Sequence, residues 1–113
     1  MLEQFFLISL LVQLAHSVEE LATGFHKKWY LFSMPFWLFL LFEILHNLFW
    51  GIVIFTNILP YKLGLSAFFI ILMFVNGIQH LVWWGCEKKY VPGLITAFAH
   101  IALFIVFYFK TIF

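Results

Sequence analysis

Apolar stretches alternate with short polar breaks along the whole chain, and each stretch is close to the roughly 20 residues a helix needs to cross a bilayer core. The pattern predicts four membrane-spanning helices, at roughly 4–25, 35–59, 63–86 and 91–113. Gly24 and the Lys27–Lys28 pair end the first. Pro35, behind Ser33, suits a first helical turn, and Pro60 stops the second. Val91–Pro92 opens the fourth. Connections this short force neighbouring helices to run antiparallel. The expected fold is therefore all-α: an integral-membrane four-helix bundle, one domain over 1–113, with both termini on the same side.

Composition gives the solvent. Of 113 residues, 65% are hydrophobic and 23% aromatic, and only 10% are charged, against about a quarter in a soluble domain. Lipid must surround most of the chain. A net charge of +1 and the absence of arginine leave no basis for nucleic-acid binding. The lone cysteine, Cys86, excludes an internal disulfide. Phe5–Ala15 has the length of a signal-peptide core, but no basic residue precedes it. With His16, Glu19 and Glu20 following directly, a retained helix is expected.

Lysines set the orientation. Lys27, Lys28, Lys88 and Lys89 occupy the first and third connections, against Lys62 and Lys110 on the other side. The positive-inside rule then places loops 26–34 and 87–90 in the cytoplasm and the termini outside it. Trp29, Tyr30, Trp83, Trp84 and Tyr90 flank the same loops, as interfacial aromatic residues do.

Against this background the polar residues within the spans stand out: His16, Glu19 and Glu20 in the first, Glu43 and His46 in the second, His80 in the third, His100 in the fourth. Ionisable groups at such depth cost a few kcal/mol each and mark function by default. Counted from the cytoplasmic helix ends at about 1.5 Å per residue, the first-span group lies ~8–14 Å deep, Glu43 and His46 ~12–17 Å, His80 ~9 Å and His100 ~14 Å. Four helices thus carry their polar residues at one level. The faces agree: Ser9, Gln13, His16, Glu20 and Thr23 form one helical stripe, and Asn76–His80 and Thr96–His100 are each four apart.

Imidazoles and carboxylates converging in a bundle suit a metal. Glu43-x-x-His46 has the ligand spacing of carboxylate-bridged helical bundles, and His16 pairs at helical spacing with Glu19 or Glu20. The expected metal set is His16, Glu20, Glu43, His46, His80 and His100, holding one or two divalent ions, zinc or iron. Glu19, Glu20, Glu43 and Asn76 are the expected catalytic groups. The competing reading is a hydrogen-bonded polar core that ties helices together at about 1 kcal/mol or less per contact. It suits Gln13, Asn47, Asn57, Asn76, Gln79 and Thr96 better than buried carboxylates, for which apolar packing is cheaper. Glu19 lies off the His16–Glu20 stripe, and His26, beside Lys27, is expected to be solvated.

His16-Ser-Val-Glu-Glu20 reads H-x-x-E-E, and here the chain resembles the HXXEE family of small membrane proteins. Asn47, Asn76 with His80, and Tyr90-Val-Pro-Gly93 fit the same resemblance, which spans about Leu14 to Leu103. It implies that His16, Glu19, Glu20, Asn76 and His80 are site residues and names no reaction. The chain is also similar in part to intramembrane glutamate proteases of the CAAX-processing type, through Glu19–Glu20 and Phe42-x-x-x-His46. It lacks the arginine that follows their glutamates, and Asn76 precedes His80 where their motif has His first.

The function these residues point to is an intramembrane, metal-dependent enzyme acting on a lipid or other apolar substrate, since no soluble part exists to bind a polar one. The alternatives are a metal-free Glu/His acid–base hydrolase and a carrier for a metal ion or proton. The far half of the membrane offers a carrier only Ser9, Asn57 and Ser66. Membrane lipids and an apolar substrate are the expected partners, and the sequence leaves a homo-oligomer open.

Overall fold

The computed structural model of the protein describes residues 2–111. Four long helices make the bundle: α1 (Leu2–Thr23), α3 (Phe36–Phe55), α4 (Lys62–Glu87) and α5 (Leu94–Thr111), with a single turn, α2 (Phe25–Lys28), between the first two. Each long helix, at 18 to 26 residues, is long and apolar enough to cross a membrane. No strand occurs among the described residues.

The helix ends have local causes, and three of the departures from the hydropathy boundaries follow from them. Gly24 adopts φ +82°, a left-handed conformation that a right-handed helix cannot contain. α1 therefore stops at Thr23, and the chain restarts as α2, with Lys27 and Lys28 N–H donating to the Gly24 carbonyl at 3.1 and 3.2 Å. α3 ends at Phe55, four residues short of the expected 59, because Thr56 turns extended and its hydroxyl donates to the Ile52 carbonyl at 2.6 Å. α5 begins at Leu94 rather than 91: Gly93, at φ +87°, again stands outside helical space. Residues 112–113 of the expected fourth span lie outside the described residues.

Neighbouring long helices run antiparallel. Phe5 and Phe6 of α1 meet Phe107 near the end of α5, so the start of α1 and the end of α5 share one face of the bundle. At the other face Trp29, beyond α2, reaches Gln79 of α4. The exterior is apolar: Val18, Trp37, Leu63 and Ile95 are each at least 60% exposed, which suits a lipid surround. Inside, two apolar clusters bracket a polar layer. Leu10, Trp50, Val53, Phe69 and Met73 pack toward the terminal face. Phe25, Phe39, Trp83, Val91 and Leu94 pack toward the α2 face. Between them Gln13, His16, Ser17, Glu20, Glu43, His80 and His100 are all buried.

Candidate metal centre

His16 and Glu20 lie one turn apart on the inner face of α1, with His16 Nε2 3.6 Å from Glu20 Oε1. α4 brings His80, whose Nε2 stands 3.3 Å from Glu20 Oε2. The His16 and His80 rings meet edge to face at 4.7 Å. One ligand atom from each of the three residues falls within 4.8 Å of the others, and all three residues are buried. This group can hold a metal ion. Donors about 2.0–2.1 Å from a tetrahedral ion stand ~3.3 Å from one another, close to the two contacts that His16 and His80 make with the two oxygens of Glu20. His80 Nε2 has no hydrogen-bond partner despite its nearness to Glu20. Nδ1 of the same ring lacks a partner too, so whichever nitrogen carries the lone pair leaves it unsatisfied, at a free-energy cost that a cation would recover. Two imidazoles and one carboxylate are the donor set of catalytic zinc and of non-haem iron centres with open positions.

Two hydrogen-bond chains, arriving from opposite sides, set the His16 tautomer. The first starts at Glu19. Its two carboxylate oxygens accept from Tyr90 Oη, Ile95 N–H, Thr96 N–H and Thr96 Oγ1. The Ile95 and Thr96 amides belong to the first turn of α5, where backbone donors lack helical partners, so Glu19 caps α5 from another helix. Thr96 Oγ1 gives its one proton to this carboxylate at 2.7 Å. It must then accept from His16 Nδ1, 2.6 Å away. The second chain starts at Trp29 Nε1, which can only donate, to Gln79 Oε1 at 3.4 Å. Gln79 Nε2 donates to Asn76 Oδ1, which leaves Asn76 Nδ2 facing His16 Nε2, both at 3.1 Å. Both chains leave the proton on Nδ1 and the lone pair on Nε2, which faces Glu20 and accepts from Asn76; a metal ion would take that lone pair in place of the amide. Fixing a ligand's tautomer through its other nitrogen is how outer partners tune metal sites.

Gly93 covers the cluster. A Cβ on it would lie 2.6 Å from His80 Cε1, 2.8 Å from His16 Cε1 and 3.1 Å from Glu20 Cγ. Val91, Pro92, Gly93 and Leu94 are all buried, so this connection forms the roof of the site. Tyr90, at its outer edge, is held by partial burial and by its bond to Glu19, and its hydroxyl pKa is pushed up to about 12.

Glu43 stands beside the cluster. Its carboxyl faces that of Glu20, and Ser17 Oγ donates to its Oε2 at 2.5 Å. Ser17 in turn accepts from Asn47 Nδ2 and Gln13 Nε2, at 2.9 and 3.3 Å. Of the remaining imidazoles, those of His100 and His46 have other partners. His100 Nε2 donates to Gln13 Oε1 at 3.2 Å, and its ring lies 5.4 Å from that of His16. His46 Nε2 accepts from Trp50 Nε1 at 3.2 Å. A cavity of about 640 Å³ runs past Glu20, Glu43 and His46 between α1, α3 and α4.

Four residues here were not expected at the site. Ser17 had a signal available, since it sits three before Glu20 on the same helix. Thr96 reads from the sequence as a helix-tying polar residue four before His100, and Tyr90 and Gly93 as landmarks of the family resemblance, an interfacial aromatic and a helix start, with no sign that they touch the cluster.

Together these features define a class: an all-α bundle of four helices long and apolar enough to cross a membrane, with a buried His–Glu–His group able to hold a metal ion. Within that class the family can be given. Residues 7–109 match the HXXEE family, described as proteins of unknown function with an HXXEE motif, and the chain belongs to it. Comparison with curated proteins and with solved structures finds no match. In the motif His16–Glu20, the outer residues contribute to the cluster, while Glu19 caps α5.

Proposed function

We propose that this protein is an intramembrane, metal-dependent enzyme acting on a lipid or other apolar substrate, with His16, Glu20 and His80 holding one divalent ion, zinc or iron. One observation carries the reading: three buried ligand atoms lie within 4.8 Å of one another, at a level of the bundle with no lysine to neutralise a carboxylate. A bound ion there supplies Lewis-acid polarisation or an activated water. Glu43, oriented by Ser17, takes a proton from a group bound at the cluster. Asn76, whose amide fronts His16 Nε2, donates to an oxygen of that group. His100 steadies Gln13 and Ser17, and His46 forms part of the cavity wall.

We orient loops 26–34 and 87–90 toward the cytoplasm on the lysine count. Single cysteines at Lys28 and Lys62, with Cys86 replaced, should then react with an impermeant reagent from opposite sides, Lys62 from outside. The reverse pattern refutes the orientation.

The facing carboxyls of Glu20 and Glu43 favour one second reading, a metal-free acid–base enzyme in which the pair shares a proton. Cobalt(II) separates the two. Titrated into metal-stripped protein in nanodiscs, it should give the visible absorption of a low-coordinate nitrogen–oxygen site in wild type and none in His80→Ala. Wild type without that absorption leaves the acid–base reading.

A further inference from the structure

Besides the metal ligand Glu20, the cavity between α1, α3 and α4 has one further charged side chain in its wall, Glu43. No lysine lines it, and the chain has no arginine. Apolar side chains make most of the rest, among them Phe25, Phe39, Leu72 and Met73. Phe32, Leu38 and Phe42 line it too and are exposed, at 57%, 42% and 58%, so the cavity opens toward lipid. Its volume, about 640 Å³, is in the range of single-ligand pockets.

The polar side chains of this wall differ in what they have left to offer. Gln13 donates to Ser17 and accepts from His100. Gln79 donates to Asn76 and accepts from Trp29. The Asn76 amide is turned to the cluster at His16, and His46 Nε2 to Trp50. Glu43 is the exception. It is buried, its carboxyl faces that of Glu20 and accepts from Ser17 Oγ, and no ion pair reaches it among the described residues. An ionised carboxylate offers about four acceptor sites, and burying one without a counter-charge is costly. The wall therefore presents acceptors and negative charge to whatever enters. Phe39 and Phe42, four and one residues before Glu43 on α3, line the same wall, and aromatic ring faces attract ammonium groups.

We propose that this cavity binds a lipophilic primary amine, with its ammonium at Glu43 and its hydrocarbon body against Phe39, Leu72 and Met73. A primary ammonium brings three N–H donors, no acceptor and one positive charge, the complement of a carboxylate set in an apolar wall. An alcohol brings a single donor and no charge. A fatty acid or a phospholipid brings negative charge toward two carboxyls. As the substrate class of the enzyme proposed above, the amine rests on the metal-site reading, and Glu43 then holds it beside Glu20. The proton that Glu43 takes is in that case one of the ammonium's own, which leaves a neutral amine and a neutral carboxyl. Binding itself needs no metal.

The test uses metal-stripped full-length protein in phosphatidylcholine nanodiscs near neutral pH, with tritiated dodecylamine, dodecanol and dodecanoate as probes and empty discs as the blank. Dodecylamine should bind saturably and at least about tenfold more tightly than either of the others, the gain expected of charge-assisted hydrogen bonds. Glu43→Gln should bring the amine to the affinity of dodecanol and leave dodecanol itself unchanged, which also shows that the variant keeps its cavity. Phosphatidylethanolamine, whose ammonium is tethered to a phosphate, should not displace the amine at equal concentration. Equal affinity for amine and alcohol in wild type overturns the proposal without recourse to any variant. A preference for the amine that survives in Glu43→Gln overturns the assignment of the ammonium to Glu43. Loss of both probes in that variant assigns Glu43 to holding the cavity open and overturns it too. Displacement by phosphatidylethanolamine overturns the free amine as occupant. Because the metal is absent throughout, each of these failures is distinct from failure of the metal site.

Discussion

Thr96 Oγ1 stands 2.6 Å from His16 Nδ1, joining two residues 80 positions apart in the chain. The contact links the helix cap made by Glu19 to the first nitrogen of the cluster. Helix docking and ligand orientation thus share one hydroxyl group: Glu19 takes its proton, and the oxygen left over holds the imidazole in the tautomer a metal needs.

Removing that hydroxyl at constant shape should separate the two roles. Thr96→Val keeps the packing of α5 and leaves Glu19 its two backbone donors, so the protein should remain folded. Metal affinity should fall about 10- to 100-fold, the usual cost of losing an outer partner of a ligand. Thr96→Ser should restore most of it. The check is competition with a chelator of known affinity, and equal affinity in Thr96→Val and wild type would show that the relay does nothing.

Gly93 and Gly24 both have positive φ, yet they should respond differently to alanine. At Gly24 the nearest group is the flexible Lys28 side chain, at 3.6 Å. Gly24→Ala should therefore cost only the left-handed backbone term, about 1–2 kcal/mol, with metal content intact. At Gly93 the new methyl would press on His80 and His16 at 2.6 and 2.8 Å. Gly93→Ala should displace both imidazoles and abolish metal binding. Thermal unfolding and metal content of the two variants check this, and full occupancy in Gly93→Ala would contradict it.

Tyr90 predicts an alkaline limit. Its hydroxyl pKa rises from an ordinary value of 10.0 to about 12 in the fold, so the folded protein holds this proton more tightly than the unfolded chain. The stabilisation is complete below pH 10 and is lost as pH climbs from about 10 to about 12. Lysines titrate in the same range, so the informative quantity is the difference between wild type and Tyr90→Phe. The gap in their melting temperatures should shrink across that interval, and a constant gap would contradict the prediction.

Much of this was legible in the sequence, and what was not has physical reasons. Hydropathy gives the four spans because each must satisfy its own backbone in lipid. Counting depth along each helix puts His16, Glu20, Glu43 and His80 at one level; the structure brings His16, Glu20 and His80 within reach of one another, with Glu43 facing Glu20. What counting cannot see is the rotation of each helix about its axis and the partners that rotation selects. His46 and His100 lie at the same depth, yet Trp50 and Gln13 engage them. Glu19 caps a helix whose first amides are 76 and 77 positions away, and no local pattern announces such a cap. The breaks at Gly24 and Gly93 depend on backbone angles that apolar periodicity does not register.

Elemental analysis of the protein, purified in mild detergent without added chelator, tests the central claim most directly. The account predicts roughly one equivalent of zinc or iron per chain. That content should fall at least tenfold in His16→Ala and His80→Ala and stay unchanged in Asn57→Ala, at the opposite end of the bundle. Well-folded wild-type protein carrying less than about a tenth of an equivalent of any transition metal would contradict it.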